Sequence, residues 1–231
     1  MDIDYATSSI STRLANFMYR VYGLMTLALT VTAVTAYYVA TTPALFKFIE
    51  NKPGILFGIL LLQLLLVLIL SLALPRMSIT VATIIFFLYA ISLGFTLSII
   101  FKVYTTSSIY LAFFTTAGMF AAMAAYGYVT KADLTRVGNI AIMGLFGLII
   151  GLLINMFLKS PPTQYILSAI GIVIFTVLIA YDTQKIKQIG MRLLSDPKTM
   201  GKAALLGALA LYLDFMNLFL YILQFTGRQR D

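Results

Sequence analysis

The chain has 231 residues, 61% of them apolar and only 10% charged, and its mean hydropathy is +0.98. That composition lies outside the soluble globular class and defines a polytopic membrane protein. With no cysteine and no histidine, a disulfide framework, a thiolate metal site and an imidazole proton switch are all excluded. A response to pH near neutrality therefore has to come from carboxylates. The net charge of +8 is read as basic loops facing the cytoplasm and an anionic lipid surface, with no role for nucleic acid.

Seven windows are long enough to cross a hydrocarbon core, which takes about 20 helical residues. They run over 21–46, 53–75, 77–101, 103–130, 137–158, 160–181 and 203–227. The expected organisation is a cytoplasmic tail over 1–20, one seven-helix transmembrane domain over 21–227 and a short tail over 228–231. The first segment runs well beyond the apolar core of a secretory signal and is read as uncleaved. Thr41-Thr42-Pro43 ends it, and a short loop with Lys47, Glu50 and Lys52 leads to the helix start Pro53-Gly54. The second segment carries Gln63 and stops at Pro75-Arg76. The third covers roughly 78–101.

The fourth segment has small residues at spacing three and four, Ala117, Gly118, Ala121, Ala122 and Ala125, read as a close-packing face. Gly144, Gly147 and Gly151 repeat the theme in the fifth. Lys159-Ser160-Pro161-Pro162 predicts a tight turn. The sixth segment places Gln164, Ser168, Gly171, Phe175, Leu178 and Asp182 on one face. Gln63 and Asn155 are expected to be interhelical hydrogen-bond partners, and Asp133 a solvated loop residue beside Lys131 and Arg136.

The seventh segment organises the rest. At helical spacing Ala203, Gly207, Ala210, Asp214, Asn217, Tyr221 and Gln224 form one small and polar stripe on an otherwise Leu-, Phe- and Met-rich helix. Such a stripe must turn toward protein or water, so this helix is expected at the centre of a bundle with six helices packed around it. Asp214 lies about 18 Å beyond Lys202 at ~1.5 Å per residue, at membrane depth, where an acid calls for a functional explanation.

Orientation follows from the basic residues. With the N-terminus inside, the cytoplasmic side holds Arg13, Arg20, Arg76, Lys131, Arg136, Lys185, Lys187, Arg192, Lys198 and Lys202, ten of the sixteen. Arg228 and Arg230 then fall outside after seven spans, against the usual bias. A re-entrant last segment would return them to the cytoplasm.

If the sixth and seventh segments are antiparallel neighbours, Asp182 and Asp214 face each other. Like charges at close range in a poorly hydrated site cannot both ionise freely, so the pair would share one proton and titrate as a unit. Arg76 is the cation placed to lock the ionised form. The bland alternatives are an interfacial Asp182 neutralised by Lys185, and an Asp214 hydrogen-bonded to Asn217 or Tyr212.

The segments IAYDTQKI and LYLDFMNLFLYIL, with LGFTLSIIF and TTAGMFAAMAAYGYVTKADL, resemble the bacterial branch of the transmembrane Bax inhibitor motif family, the Bax inhibitor-1-like proteins. The likeness covers nearly the whole chain after Arg20. It implies six helices around a central seventh and a pH-sensitive calcium leak, with Asp182 and Asp214 as the pH sensor and Arg76 as their partner. Asn217, Tyr221, Gln224 and Gly207 are the candidate lining of the path. Two acids are too few for a tight calcium cage, so any calcium at Asp182 and Asp214 would be weakly and transiently held. No cofactor is expected beyond calcium as the permeant ion, and a monomer is expected.

Two other classes stand beside this one. Paired membrane aspartates also describe an intramembrane aspartyl protease, but Asp214 sits in LYLD rather than GxGD, and Pro43-Ala44-Leu45 comes too early in the chain, so no enzyme is expected. The remaining class is a membrane protein that binds and modulates other membrane complexes without conducting ions.

Overall fold

Four of the helices begin at proline, α2 (Pro43–Glu50), α3 (Pro53–Ala73), α8 (Pro161–Arg192) and α9 (Pro197–Thr226). Proline suits the first helical turn because its missing N–H has no intrahelical partner there. Two others start at hydroxyl caps. Ser78 accepts from the Val81 N–H ahead of α4 (Ile79–Leu97), and Thr105 accepts from the Ser108 N–H ahead of α6 (Thr106–Val129). The remaining helices are α1 (Asp2–Thr41), α5 (Ile100–Val103) and α7 (Thr135–Leu158). The computed structural model describes residues 2–50, 53–194 and 196–230. Lys52 of the expected loop and the side chains of Glu50 and Lys198 lie outside the described residues.

The protein is all-α, with no strand among the described residues, and seven of its helical stretches are long and apolar enough to cross a membrane. The boundaries differ from expectation in three places. The first helix starts at Asp2 rather than near residue 21, because the polar tail has no proline or glycine to stop the helix propagating upstream. The Lys47–Glu50 stretch, expected as loop, is the end of the short helix α2. The sixth segment continues through Gly190 to Arg192.

The chain forms two compact units, residues 1–103 with 189–212, and residues 104–188 with 213–231. In the first, α1 packs against α4, and α3 against α4. Gln63 reaches from α3 to the Ser92 carbonyl (2.9 Å) and the Thr96 hydroxyl (2.7 Å) on α4, the interhelical role expected of it. Lys202, at the start of the last span, donates to the Pro75 carbonyl in the 3-10 turn that follows α3.

In the second unit α6, α7, α8 and the C-terminal half of α9 pack together, and the tail after α9 is pinned to the entrance of α6. The Thr105 N–H donates to the Arg228 carbonyl, and the Arg228 N–H to the Ser108 hydroxyl. The last span, Thr199–Thr226, has 28 residues, or about 42 Å at ~1.5 Å per residue. As one unbroken helix of that length it is long enough to cross a hydrocarbon core of about 30 Å.

The small residues of α6 do not form the expected packing face. Gly118, Ala121, Ala122 and Ala125 are exposed, whereas Ala112, Thr116, Phe120, Ala124 and Gly127 are buried. In an almost uniformly apolar helix the inward face is set by its partners rather than by polarity. The glycines of α7 behave closer to expectation. Gly144 lies against Ile174 and Gly151 against Leu167 on α8, while Gly147 faces open space.

Candidate functional site: a carboxyl pair between two antiparallel helices

The last span is the most buried of the seven, with 67% of its apolar window inside the protein. Both the polar stripe and the apolar flanks are covered. Gly207, Asp214 and Tyr221 are buried, but so are Leu205, Leu211, Leu218 and Leu223. Ala203, Ala210 and Asn217 are half-buried, and Gln224 is exposed.

Within the second unit α8 and α9 run antiparallel, and their contacts descend in register. Gln164 and Ser168 donate to the Gln224 side-chain carbonyl at 2.8 and 3.2 Å. One step further, the Tyr221 ring covers Gly171, where a methyl group would lie 2.7 Å from the ring, and stacks on Phe175. At the other end the carboxyl groups of Asp182 and Asp214 lie within hydrogen-bonding reach of each other. The expected face of the sixth segment is thus the face that meets the seventh.

Asp182 is held in place by its neighbours in sequence. Tyr181 rests on Gly138 of α7, and Ala180 presses its carbonyl on Gly127 of α6. Both approaches are so close that any side chain at either glycine would collide. Gln184 clamps the α6–α7 loop, accepting from the Leu134 N–H (2.9 Å) and donating to the Ala132 carbonyl (2.8 Å). Lys187 donates to the Tyr128 carbonyl at 2.7 Å with its ammonium over the Tyr128 ring. A cation there meets the negative end of the α6 dipole. Lys185, one turn beyond Asp182, lies near enough to attract it and sits 5.5 Å from the centre of the Tyr181 ring.

Asp214 is 5% exposed, and its Oδ2 has no hydrogen-bond partner among the described residues. The hydroxyl of Thr183, which is 0% exposed, is also without one. Burying such a group unpaired costs about 1–3 kcal/mol. The two bland partners for Asp214 are engaged elsewhere. The Asn217 amide donates to its own helix at the Leu213 carbonyl (2.8 Å). In the first unit, the Tyr212 hydroxyl meets Thr32 at 2.6 Å. A hydrogen bond between two carboxyl groups needs a proton on one of them. Among the described residues no group of three His, Cys, Asp or Glu side chains converges.

Arg76 belongs to the first unit, where it closes the 3-10 turn Leu74–Arg76, is exposed, and forms no hydrogen bond or ion pair among the described residues. Asn155 bridges α7 and α8 as expected, donating to Gln164 at 3.0 Å. Asp133 is exposed as expected and also holds the first residue of α7, accepting from the Thr135 hydroxyl (2.6 Å) and N–H (2.9 Å). Sequence reasoning missed Gly127, Gly138, Thr183, Gln184 and Lys187. The run Tyr181–Lys187 held the signal, since its polar residues at helical spacing need partners in a buried helix.

These features define a class: a seven-span, all-helical membrane protein with a carboxyl pair between its last two spans, Asp214 buried and Asp182 half-buried. The family model described as "Inhibitor of apoptosis-promoting Bax1" matches residues 14–231. The chain belongs to this Bax inhibitor-1-like family, in its bacterial branch. It is 43% identical over 218 residues to "Inner membrane protein YbhL" of Escherichia coli K12, covering 94% of this chain and 93% of that protein. An uncharacterized protein of Rickettsia prowazekii is 40% identical, covering 94% of this chain and 92% of its own length. An uncharacterized membrane protein of Streptococcus pyogenes is 33% identical, with 93% of each chain covered.

Proposed function

We propose that this protein is a pH-sensitive cation leak, with calcium as the permeant ion, gated by the Asp182–Asp214 pair. The observation that carries the reading is the contact between two carboxyl groups at membrane depth, one of them with an orphaned oxygen. While the pair shares one proton, a carboxyl–carboxylate hydrogen bond ties α8 to α9. Loss of that proton, or gain of a second, removes the tie.

The polar groups along the proposed path are engaged in this arrangement, which supports reading it as closed. Asn217 bonds its own helix, Tyr221 covers Gly171, and Gln224 is held by Gln164 and Ser168. Opening would free these oxygens for a hard cation, and a site with only two acids would release it quickly. Arg76 is assigned to take the ionised form of the pair. The protein works as a monomer without a cofactor and is not an enzyme on this reading. Its place is the inner (plasma) membrane, as the name of the Escherichia coli relative says of that protein, and its basic residues favour a cytoplasmic N-terminus.

The test is calcium entry into proteoliposomes holding the purified wild-type protein at acidic, neutral and alkaline pH. Flux above that of empty liposomes, changing with pH, is expected. Absence of flux together with a stoichiometric co-purifying membrane protein would replace this reading with that of a modulator of other complexes.

A further inference from the structure

In the first unit the early turns of α1, with Leu194 and Met200, border a half-open cavity of ≈ 340 Å³ lined also by Arg13, Asn16, Phe17 and Arg20. We propose that this cavity binds the headgroup of an anionic phospholipid. Arg13, Asn16 and Arg20 recur at helical spacing and so share one face of α1. The two guanidinium groups are exposed and form no hydrogen bond or ion pair among the described residues. Among the described residues no acid lines the cavity, and its floor is apolar, with Phe17 1% exposed. Paired cations over an apolar floor suit an anion that carries its own hydrocarbon. Guanidinium binds phosphate oxygens with two parallel hydrogen bonds, and Phe17, Leu194 and Met200 would meet the glycerol and upper acyl carbons.

Depth supports the lipid source. The first span covers 32 residues, Ile10–Thr41, or about 48 Å at ~1.5 Å per residue, against a hydrocarbon core of about 30 Å. Its first turns therefore have length to spare at the headgroup layer. Arg13 and Arg20, seven residues apart, span about 10 Å of that layer.

The experiment is native mass spectrometry of the full chain in detergent with added phosphatidylglycerol or phosphatidylcholine, read as retained lipid. Wild type is expected to retain phosphatidylglycerol over phosphatidylcholine by about tenfold or more, the ratio of roughly one charge-assisted contact. The Arg13→Gln/Arg20→Gln double variant should lose that preference, and each single variant should lose part of it, so the result does not depend on the double variant folding. Arg136→Gln, which removes an exposed arginine elsewhere, should keep it. Equal retention of both lipids, survival of the preference in the double variant, or equal loss in Arg136→Gln would overturn the assignment. So would displacement of the lipid by equimolar inorganic phosphate, which would mark a free-phosphate site.

Discussion

Tyr212 and Asp214 are two residues apart on α9, yet their polar groups have opposite fates. In the first unit the Tyr212 hydroxyl bonds Thr32, whose own hydroxyl donates to the Ala90 carbonyl at 2.9 Å. Tyr212 therefore gives its proton to Thr32 and leaves no partner unmet. Phe86 and Tyr89 pack edge-on against its ring. In the second unit Asp214 meets another carboxyl group and keeps an orphaned oxygen, with the unbonded Thr183 hydroxyl beside Asp182 in the chain. A fully satisfied buried network rigidifies, whereas a partly satisfied one retains polar groups that a rearrangement can pair. The first pattern is that of a strut, and the second suits the switch proposed for the pair.

The largest expected effect comes from unseating Tyr181, the neighbour of Asp182 in the proposed switch. Gly138→Val would drive a side chain into the Tyr181 ring and cost about 1–3 kcal/mol or more as overpacking. Thermal unfolding in detergent should fall sharply, while Gly118→Ala, on the open face of α6, stays within about 0.5 kcal/mol of wild type. Equal behaviour of the two would mean that α8 is not seated by that contact.

Gln184→Ala removes both side-chain bonds to the α6–α7 loop, an expected loss of about 1–3 kcal/mol. Hydrogen exchange at the Leu134 amide should rise, and protection unchanged there would separate the loop from Asp182. Tyr212→Phe should cost about 1 kcal/mol, because Thr32 keeps its bond to Ala90. A loss several times larger would show that the hydroxyl does more than brace the first unit.

The smallest effect concerns Asp133, which lies between spans. The Thr135 hydroxyl, and secondarily its N–H, hold the Asp133 carboxyl below its ordinary value. The contribution of these bonds is therefore present above the unfolded carboxylate's pKa and is lost as pH falls through the lowered folded one. In an NMR titration, Thr135→Val should move the Asp133 midpoint upward. An unmoved midpoint would remove the hydroxyl as the cause.

Much of this was legible in the sequence, for definite reasons. Seven spans follow from apolar runs against bilayer thickness, and Asp214 stands out because an acid at that depth is expensive. The pairing with Asp182 needed only antiparallel neighbours joined by a short connection. What stayed hidden is the rotation of each helix about its own axis. A helix such as α6 is apolar nearly all round, so composition did not reveal that Ala112, Thr116 and Phe120 point inward while Gly118 points out. For the same reason Gly138 gave no sign that it carries Tyr181. Tyr212 stands near Asp214 along the chain and so enters the bland alternative as one of two partners for it, but its own partner Thr32 lies 180 residues away.

The comparison of strut and switch is tested most directly by calcium flux into proteoliposomes across acidic, neutral and alkaline pH for wild type, Asp182→Asn, Asp214→Asn and Tyr212→Phe. The account predicts a pH-dependent wild-type flux that flattens in both Asn variants and keeps its wild-type profile in Tyr212→Phe. A pH dependence that survives in either Asn variant, or disappears in Tyr212→Phe, would contradict it.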